Sequence, residues 1–455
     1  MASSMDIRTN PMRRRALLAA AGGLGALLAG CGPRREAAGP GAGATATPLA
    51  PPAFLGREAA IVATEARGDP EIEAALGARP GDDPYAPLGG ALRAISRGDE
   101  ARALVMVVGD SHAAGPVLGE RLRELFQARF GAAGPGRYAP GKAQPFFNPS
   151  AVRLGQGGEW QASSALRGPP SRMFGLSGYN LAGACAGDWI SLRANDLAGF
   201  DRVHVAMRRT PDGGSFRVRL DGEEVGVVAT RAAGTDAFVL RLDMPARRRE
   251  LAIELLGDGP VELLGWGVDR RGRGVLVEAF GIPGATIASL DNRAADALAR
   301  ELAAATPALL VLEFGTNEAT SRDLDAATYA AALSRHVARL RAMLPRTGIM
   351  LMGAPDAARP MRRGGSACGG RLTPLPALAA VRAAQREVAR SERIGLFDWG
   401  TEVTRGSCNL PAMARGESPL MRTDLVHFTP AGYRLTAELL FAHILRGAKM
   451  EAQGA

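Results

Sequence analysis

Lysine is nearly absent from this 455-residue chain: only Lys142 and Lys449 occur, although Lys and Arg together number 55 and the formal net charge is +9. The positive charge is therefore carried by arginines, which are scattered along the chain and form no basic stripe. This pattern argues against binding to nucleic acid. Cysteine is also scarce. The four cysteines form no C-x-x-C pair and no H-E-x-x-H motif occurs, so the sequence implies no metal and no cofactor.

Long apolar runs are missing as well. The run at 16–29 follows three arginines and has 14 residues, whereas a membrane-spanning helix needs about 20. It ends at Cys31 in the sequence LAGC, which resembles the lipobox of bacterial lipoproteins. We therefore predict a signal peptide over 1–31 with lipidation of Cys31, and leave an ordinary cleaved signal with a chance cysteine as the alternative. The expected location is the bacterial cell envelope, as a periplasmic lipoprotein held to a membrane by its N-terminal lipid.

Residues 32–52 are rich in Gly, Pro and Ala and are expected to form a flexible tether. Beyond it, short apolar runs alternate with amphipathic stretches. The predicted strands lie at 103–108, 275–280, 309–314, 349–352 and 394–397. The predicted helices lie at 285–304, 323–343, 374–391 and 430–447. Because strands that alternate with helices form a parallel sheet covered on both faces, we predict an α/β fold of three layers.

The segment 145–271 breaks this rhythm. Phe216, Val218 and Leu220 alternate with arginines, and Asp221-Gly222 supplies a hairpin turn. Further alternating runs lie at 201–208, 237–243, 249–256 and 261–269. We therefore predict an antiparallel β-sandwich over 145–271, inserted between a first part (53–144) and a second part (272–447) of the α/β domain.

Polar clusters occur where the predicted parallel strands end and where the last helix begins. They lie at 109–112, 281–286, 315–318 and 424–427. The carboxyl ends of parallel strands share one edge of a sheet, and ligands bind at that edge. The four clusters are therefore expected to converge on one site.

A serine hydroxyl becomes a nucleophile only when a base removes its proton, and histidine is the usual base near neutral pH. Among the five histidines, His427 is the best candidate, since His112 adjoins Ser111 with its ring expected to point away and the other three lie in predicted strands or helices. Asp424 can orient the His427 ring. Candidate donors to a developing oxyanion are the backbone N–H groups of Ser111 and Gly284 and the side-chain amide of Asn317.

These clusters resemble the sequence blocks of the SGNH (GDSL-like) hydrolase family over about 100–150 and 272–447. The resemblance implies a flavodoxin-like α/β/α sheet. It makes Ser111 the nucleophile, Gly284 and Asn317 oxyanion donors, Asp424 the orienting acid and His427 the base. The residues of the clusters are more narrowly similar to the peptidoglycan O-acetylesterase branch, in which a carbohydrate-binding-module-like β domain interrupts the catalytic domain. One departure is Glu318, where the wider family often has Asp, so the wider family's activities transfer less safely.

The resulting hypothesis is a monomeric exported serine esterase that removes O-acetyl groups from a cell-wall glycan. The alternatives are an esterase or acetyltransferase acting on another acetylated polysaccharide, and a non-catalytic glycan-binding lipoprotein. The insert is expected to stand at the mouth of the site. Trp189 and Tyr179 are candidates for stacking on sugar, with burial in the core as the alternative for both.

The remaining cysteines are interpreted from their positions in loops of an exported protein. Cys368 and Cys408 both follow strands of the predicted sheet, so a disulfide between them is predicted, with two free thiols as the open alternative. Cys185 is expected to stay free.

Overall fold

The computed structural model describes residues 55–56, 61–76, 81, 83–361 and 363–450. The predicted signal peptide and lipobox at 1–31 and the tether at 32–52 lie outside the described residues. The strands of the described part, β1 to β20 in chain order, are Leu55–Gly56, Val62–Glu65, Arg102–Gly109, Gly136–Tyr138, Val152–Gly157, Gln161–Ser164, Tyr179–Gly183, Trp189–Ala194, Phe200–Arg209, Ser215–Leu220, Glu223–Ala229, Asp236–Arg248, Glu250–Leu255, Val261–Asp269, Gly274–Gly281, Leu309–Glu313, Gly348–Met352, Ala358–Pro360, Leu372–Pro374 and Gly395–Phe397.

The helices, α1 to α9 in the same order, are Pro70–Ala75, Ala86–Arg97, Ser111–Ala114, Pro116–Phe130, Ala295–Ala305, Ala326–Met343, Leu378–Ser391, Leu410–Met413 and Pro430–Gly447. Short 3₁₀ segments occur at Ile287–Leu290, Glu318–Thr320 and Ser407–Asn409, and one π-helical turn occurs at Gly400–Thr404.

Five strands form a wholly parallel sheet in the order β15-β3-β16-β17-β20. Numbered by chain order within this sheet, the sequence is 2-1-3-4-5, which is the flavodoxin-like arrangement. β3 and β16 are buried along their whole length, as expected of strands covered on both faces. The predicted three-layer α/β fold is confirmed.

Right-handed crossovers decide which helices cover which face of this sheet. The connection from β3 to β15 runs in the opposite direction to the later ones, so its helix α4 lies on one face, where it packs against α9. α6 and α7 pack together on the other face. The reversal between β15 and β16 places β3 at the switch point of the sheet, where ligands bind in folds of this kind.

The inserted segment folds as two packed antiparallel sheets. Their strand orders are β1-β11-β10-β13-β8-β5 and β2-β12-β9-β14-β7-β6, with β4 paired to β14. The hairpin between β10 and β11 turns at Asp221 and Gly222, which both have positive φ (51° and 87°), as a type I′ turn requires. Phe216, Val218 and Leu220 are fully buried between the sheets.

The predicted boundaries of this sandwich need correction. β1 and β2, from the segment assigned to the first part of the α/β domain, pair with β11 and β12 of the insert, and β4 pairs with β14. These strands are short and lie far in sequence from their partners. β1 and β2 add at the edges of the two sheets, where β11 and β12 offer unpaired backbone groups.

A buried ion-pair network joins the sandwich to the base of β3. The fully buried Arg102 contacts Asp69 at 2.5 Å and Asp269 at 2.9 Å, and Arg202 of the insert contacts the same Asp69 at 3.0 Å. Buried charges are tolerated only when paired in this way. The network fixes the insert to the strand that carries the site.

The helix predicted at 285–304 is wrong in its first half. The chain instead makes a 3₁₀ turn at Ile287–Leu290, and α5 begins only at Ala295. The reason is tertiary, because Asn292 Nδ2 donates to the Ala165 carbonyl and Ala294 N donates to the Phe174 carbonyl, both in the insert. Contacts to the insert replace the hydrogen bonds of a longer helix.

Candidate active site

Ser111 lies at the carboxyl end of β3, as the first residue of α3. Asp110 caps this helix, since its Oδ1 accepts the backbone N–H of His112 at 2.9 Å. Gly109 is required by close approach: a Cβ there would lie 2.4 Å from the Glu313 carbonyl oxygen at the end of β16. The sharp transition from strand to helix presents the serine at the edge of the sheet.

His427 reaches Ser111 from the turn before α9. Ser111 Oγ lies 3.0 Å from His427 Nε2, and His427 Nδ1 lies 2.9 Å from Asp424 Oδ2. The second oxygen of Asp424 accepts the backbone N–H groups of Val426 and His427, each at 2.9 Å. The three side chains predicted to work together are thus brought into one hydrogen-bonded chain across a sequence separation of more than 300 residues.

The turn that holds Asp424 and His427 is built locally. Leu425 between them adopts a positive φ of 56°, which folds the carboxylate back toward the histidine. Thr429 caps α9 through its hydroxyl, which accepts the N–H of Gly432 at 3.2 Å, and Pro430 begins the helix. A rigid helix start therefore supports the turn.

The pKa of Asp424 is lowered from its usual value. Burial on its own would raise the pKa, but the hydrogen bond with the His427 side chain and those from the two backbone N–H groups outweigh it. Asp424 therefore stays ionised and can stabilise a protonated His427.

The predicted oxyanion donors lie at the same edge. Gly284 has a positive φ of 87° in the loop after β15, and Asn317 follows β16. The Asn317 amide nitrogen donates to Asp110 Oδ2 at 3.1 Å and to the Ala285 carbonyl at 2.8 Å. Asn317 therefore links the loops of the first two clusters, and an oxyanion would have to share one of these N–H groups.

Glu318 holds the second and third clusters together. Its Oε1 accepts the N–H of Ile287 at 2.7 Å and its Oε2 accepts the N–H of Gly315 at 3.0 Å. Burial raises the pKa of Glu318, while these N–H groups oppose the rise. The departure from the wider family seen in the sequence is thus a bridge between the two loops that carry Gly284 and Asn317.

Two further groups behind the site carried no signal in the sequence. Glu313, at the end of β16, accepts the Asp110 N–H through Oε2 at 3.1 Å, and burial raises the pKa of both carboxyls, that of Asp110 to about 7. His112 is buried, which lowers its pKa to about 3, and its Nδ1 lies 3.0 Å from the Tyr433 hydroxyl. Its neutral ring sits 5.4 Å from the His427 ring, between centroids, and so supports the base from behind.

The insert contacts the site through the loop between β6 and β7. Leu166 lies 4.0 Å from where a Cβ on Gly284 would be, and the Ala165 carbonyl is bonded to Asn292. Gln144, the last residue before the insert, donates from Nε2 to the Ala114 carbonyl at the end of α3. The insert therefore adjoins the oxyanion loop, as expected from its position in the chain.

The two aromatic residues predicted to stack on sugar have different surroundings. Tyr179 is 3% exposed and belongs to the core, so that prediction is wrong for Tyr179: it lies within β7, whose neighbours bury both faces. Trp189 is 42% exposed on the outer face of its sheet. Its indole spans Gly155 and Gly157 of β5, and a Cβ on Gly157 would lie 2.5 Å from the indole nitrogen.

The predicted disulfide between Cys368 and Cys408 is present, whereas the prediction of a free Cys185 is wrong. Cys368 and Cys408 form a disulfide, with their Cα atoms 5.4 Å apart. The expectation that Cys185 stays free is wrong, because it is disulfide-bonded and the described residues contain no free cysteine. Nothing in the local sequence around Cys185 indicated a partner.

Two kinds of feature are absent from the described ranges. Every helix there is too short or too polar to span a bilayer. The same ranges bring no three His, Cys, Asp or Glu side chains together as a metal site.

Comparison with known proteins supports the assignment of the fold. Residues 256–435 match the GDSL-like lipase/acylhydrolase family, a span that includes Gly284, Asn317, Asp424 and His427 but not Ser111. A structure of a peptidoglycan O-acetylesterase superposes with a TM-score of 0.68 at 24% identity, covering 86% of this chain and 99% of that chain. No curated protein matches the chain.

More distant structures also match. A family two carbohydrate esterase from Clostridium thermocellum, in complex with cellohexaose, is 13% identical over 60% of this chain and 96% of that chain, with a TM-score of 0.24. A GDSL-like lipase from Bacteroides thetaiotaomicron is 20% identical over 36% of this chain and 74% of that chain, with a TM-score of 0.26.

The family match over 256–435 and the shared fold confirm the predicted resemblance to the SGNH (GDSL-like) hydrolases. Along most of the chain the fold is similar to that of a peptidoglycan O-acetylesterase.

Proposed function

We propose that this protein is an exported serine esterase that removes O-acetyl groups from peptidoglycan by way of an acetyl-enzyme on Ser111. The observation that carries the proposal is the hydrogen-bonded chain Ser111–His427–Asp424, with spacings of 3.0 and 2.9 Å, at the switch point of the sheet. The choice of peptidoglycan is supported by the shared fold of a peptidoglycan O-acetylesterase and by the insert beside the site.

In the first half of the reaction His427 Nε2 takes the proton of Ser111 Oγ as the oxygen attacks the acetyl carbonyl carbon. The negative charge that develops on the carbonyl oxygen meets the N–H groups of Ser111 and Gly284 and the amide of Asn317. When the tetrahedral intermediate collapses, the bond to the sugar oxygen breaks and His427 returns its proton to that oxygen. The products of this half are a free sugar hydroxyl and acetyl-Ser111.

In the second half, His427 removes a proton from water, which attacks the acetyl-Ser111 carbonyl carbon. Collapse releases acetic acid and returns the proton to Ser111 Oγ. Throughout, Asp424 fixes the His427 tautomer through Nδ1 and stabilises the imidazolium without being protonated itself, consistent with its lowered pKa.

Acetate release from O-acetylated peptidoglycan, compared with acetylated xylan, tests this proposal. Ser111→Ala and His427→Ala should each lower kcat at least about 10³-fold, because nucleophile and base act as a unit, and the double variant should be scarcely worse than either. Ser391→Ala, whose hydroxyl is bonded to the Val388 carbonyl at the end of α7, is the control and should keep full activity. Retained activity in Ser111→Ala, or two fully additive losses, would contradict the mechanism, while faster turnover of xylan would contradict the choice of peptidoglycan.

The location is part of the proposal and has its own test. The LAGC sequence ending at Cys31 supports lipidation and retention at a membrane. Lipidation converts the Cys31 sulfur to a thioether, so a lipidated chain cannot use Cys31 as the disulfide partner of Cys185. Cys31→Ser should shift the protein from the membrane fraction to the soluble fraction of its host. An unchanged distribution would show that Cys31 does not carry an anchor.

A further inference from the structure

A groove beside the catalytic turn has no role in the reaction described above. It holds about 550 Å³ of space and lies between the loops joined by the Cys368–Cys408 disulfide and the turn that carries Asp424. Thr423 and Leu425, the two neighbours of Asp424, form part of its wall. The groove therefore adjoins the turn that holds the acid orienting His427.

The walls of the groove are mostly apolar, and a disulfide and a backbone hydrogen bond fix their positions. Met361 is 42% exposed at its rim, and Leu372 and Pro411 line it further in. The disulfide ties the loop before Leu372 to the loop before Pro411, and the Ala358 N–H donates to the Leu425 carbonyl at 3.1 Å. The groove is thus a fixed feature of this edge and suits short apolar side chains.

Two arginines give the groove an unmatched positive charge. Arg371 and Arg415 line it, both are exposed, and no described carboxylate lies within ion-pair distance of either guanidinium. An exposed arginine of the same domain that does have an acidic partner is Arg386, which lies 2.7 Å from Asp398. A guanidinium presents paired donors that fit a carboxylate.

We propose that this groove binds a carboxylate-bearing peptide substituent of the glycan substrate, with Arg371 and Arg415 pairing its carboxylates and the apolar walls contacting its side chains. The proposal rests on the proposed function, since it names which part of an O-acetylated peptidoglycan chain the enzyme recognises next to the acetyl group. Recognition of this kind selects glycan strands that carry peptides over strands from which the peptides have been removed.

The test compares two substrates that differ only in the peptide. O-acetylated peptidoglycan fragments are assayed for acetate release with their peptides intact and after enzymatic removal of the peptides. For the wild-type protein we expect kcat/KM to be about 10-fold higher on the fragments with peptides, and Arg371→Ala combined with Arg415→Ala should abolish that preference. Arg273→Ala is the matched control, because Arg273 is an exposed arginine directly before β15, at the opposite edge of the sheet, and it should keep the preference.

A second measurement separates this inference from the esterase proposal. Binding of a disaccharide-peptide without acetyl groups, with free or amidated carboxyls, is measured by calorimetry on the Ser111→Ala protein with and without the two arginine substitutions. We expect Kd to rise about 5- to 10-fold on amidation or on loss of the arginines. The groove proposal alone would be overturned if kcat/KM were equal on the glycans with and without peptides and Kd were the same for free and amidated carboxyls. Carboxylate-dependent binding by a wild-type protein that releases no acetate from either glycan would overturn the esterase proposal instead.

Discussion

Glu318 offers a sharp test of how the site is held together. Its two oxygens accept N–H groups from Ile287 and Gly315 at 2.7 and 3.0 Å, so one buried side chain joins the loops that carry Gly284 and Asn317. Glu318→Asp removes one methylene and draws the carboxylate back by about 1.5 Å, a carbon–carbon bond length. It then cannot reach both N–H groups, and one is left buried without an acceptor.

Glu318→Asp should lower both the stability of the protein and its kcat. A buried donor left without a partner costs about 1–3 kcal/mol. Because the two loops position the donors for the oxyanion, a displacement of about 1 Å should lower kcat by about 10²-fold. Both quantities are measured on purified protein, the first by urea unfolding and the second with p-nitrophenyl acetate, a small ester that needs the serine and the oxyanion donors but no glycan contact.

Glu278→Asp, which also shortens a buried side chain by one methylene, is the matched control for this experiment. Glu278 is also buried and accepts a backbone N–H, that of Arg137 at 3.0 Å, but it lies within β15 and away from the loops of the site. It should lose stability comparably and keep kcat within a few fold. A Glu318→Asp protein that loses stability while retaining wild-type kcat would refute the view that this bridge positions the oxyanion donors.

Three further predictions concern other parts of the site. Asn317→Ala should lower kcat by about 10²–10³-fold with little change in KM, and a defect confined to KM would show that Asn317 holds the sugar instead. Trp189→Ala should raise KM for polymeric glycan about 2- to 10-fold, the range of one aromatic contact, and leave p-nitrophenyl acetate turnover unchanged; equal effects on both substrates would assign Trp189 to stability. Burial raises the pKa of Asp110 to about 7. Between about pH 4 and 7 the Asp110 carboxyl is therefore protonated in the folded protein and ionised in the unfolded protein. The free energy of unfolding should fall as the pH rises through this window. Asp110→Asn should flatten that slope in urea unfolding, and an unchanged slope would show that a group other than Asp110 causes it.

Local patterns in the sequence determined much of this protein. Apolar runs of strand length located all five parallel strands, because a strand buried on both faces is apolar at successive positions. Alternation of apolar and polar residues located the main strands of the sandwich, because such strands are buried on one face only. The turn at Asp221-Gly222 and the start of α9 at Thr429-Pro430 were also predictable, since backbone conformation and capping depend on the residue itself. The four polar clusters could be assigned to one edge because parallel strands all end on the same side of a sheet.

Tertiary structure decided what depends on contacts between distant segments. Tyr179 lies in β7, which is buried at every position, whereas Trp189 begins the alternating strand β8, and only the packing of the two sheets decides this difference. Strands β1 and β2 join the sandwich through edge pairing that their few residues do not specify. The bridge made by Glu318 and the support that His112 gives to His427 arise where loops far apart in the chain meet, and no periodicity in the sequence records such a meeting. The sequence thus specifies which residues reach the edge of the sheet, and the fold specifies which of them touch.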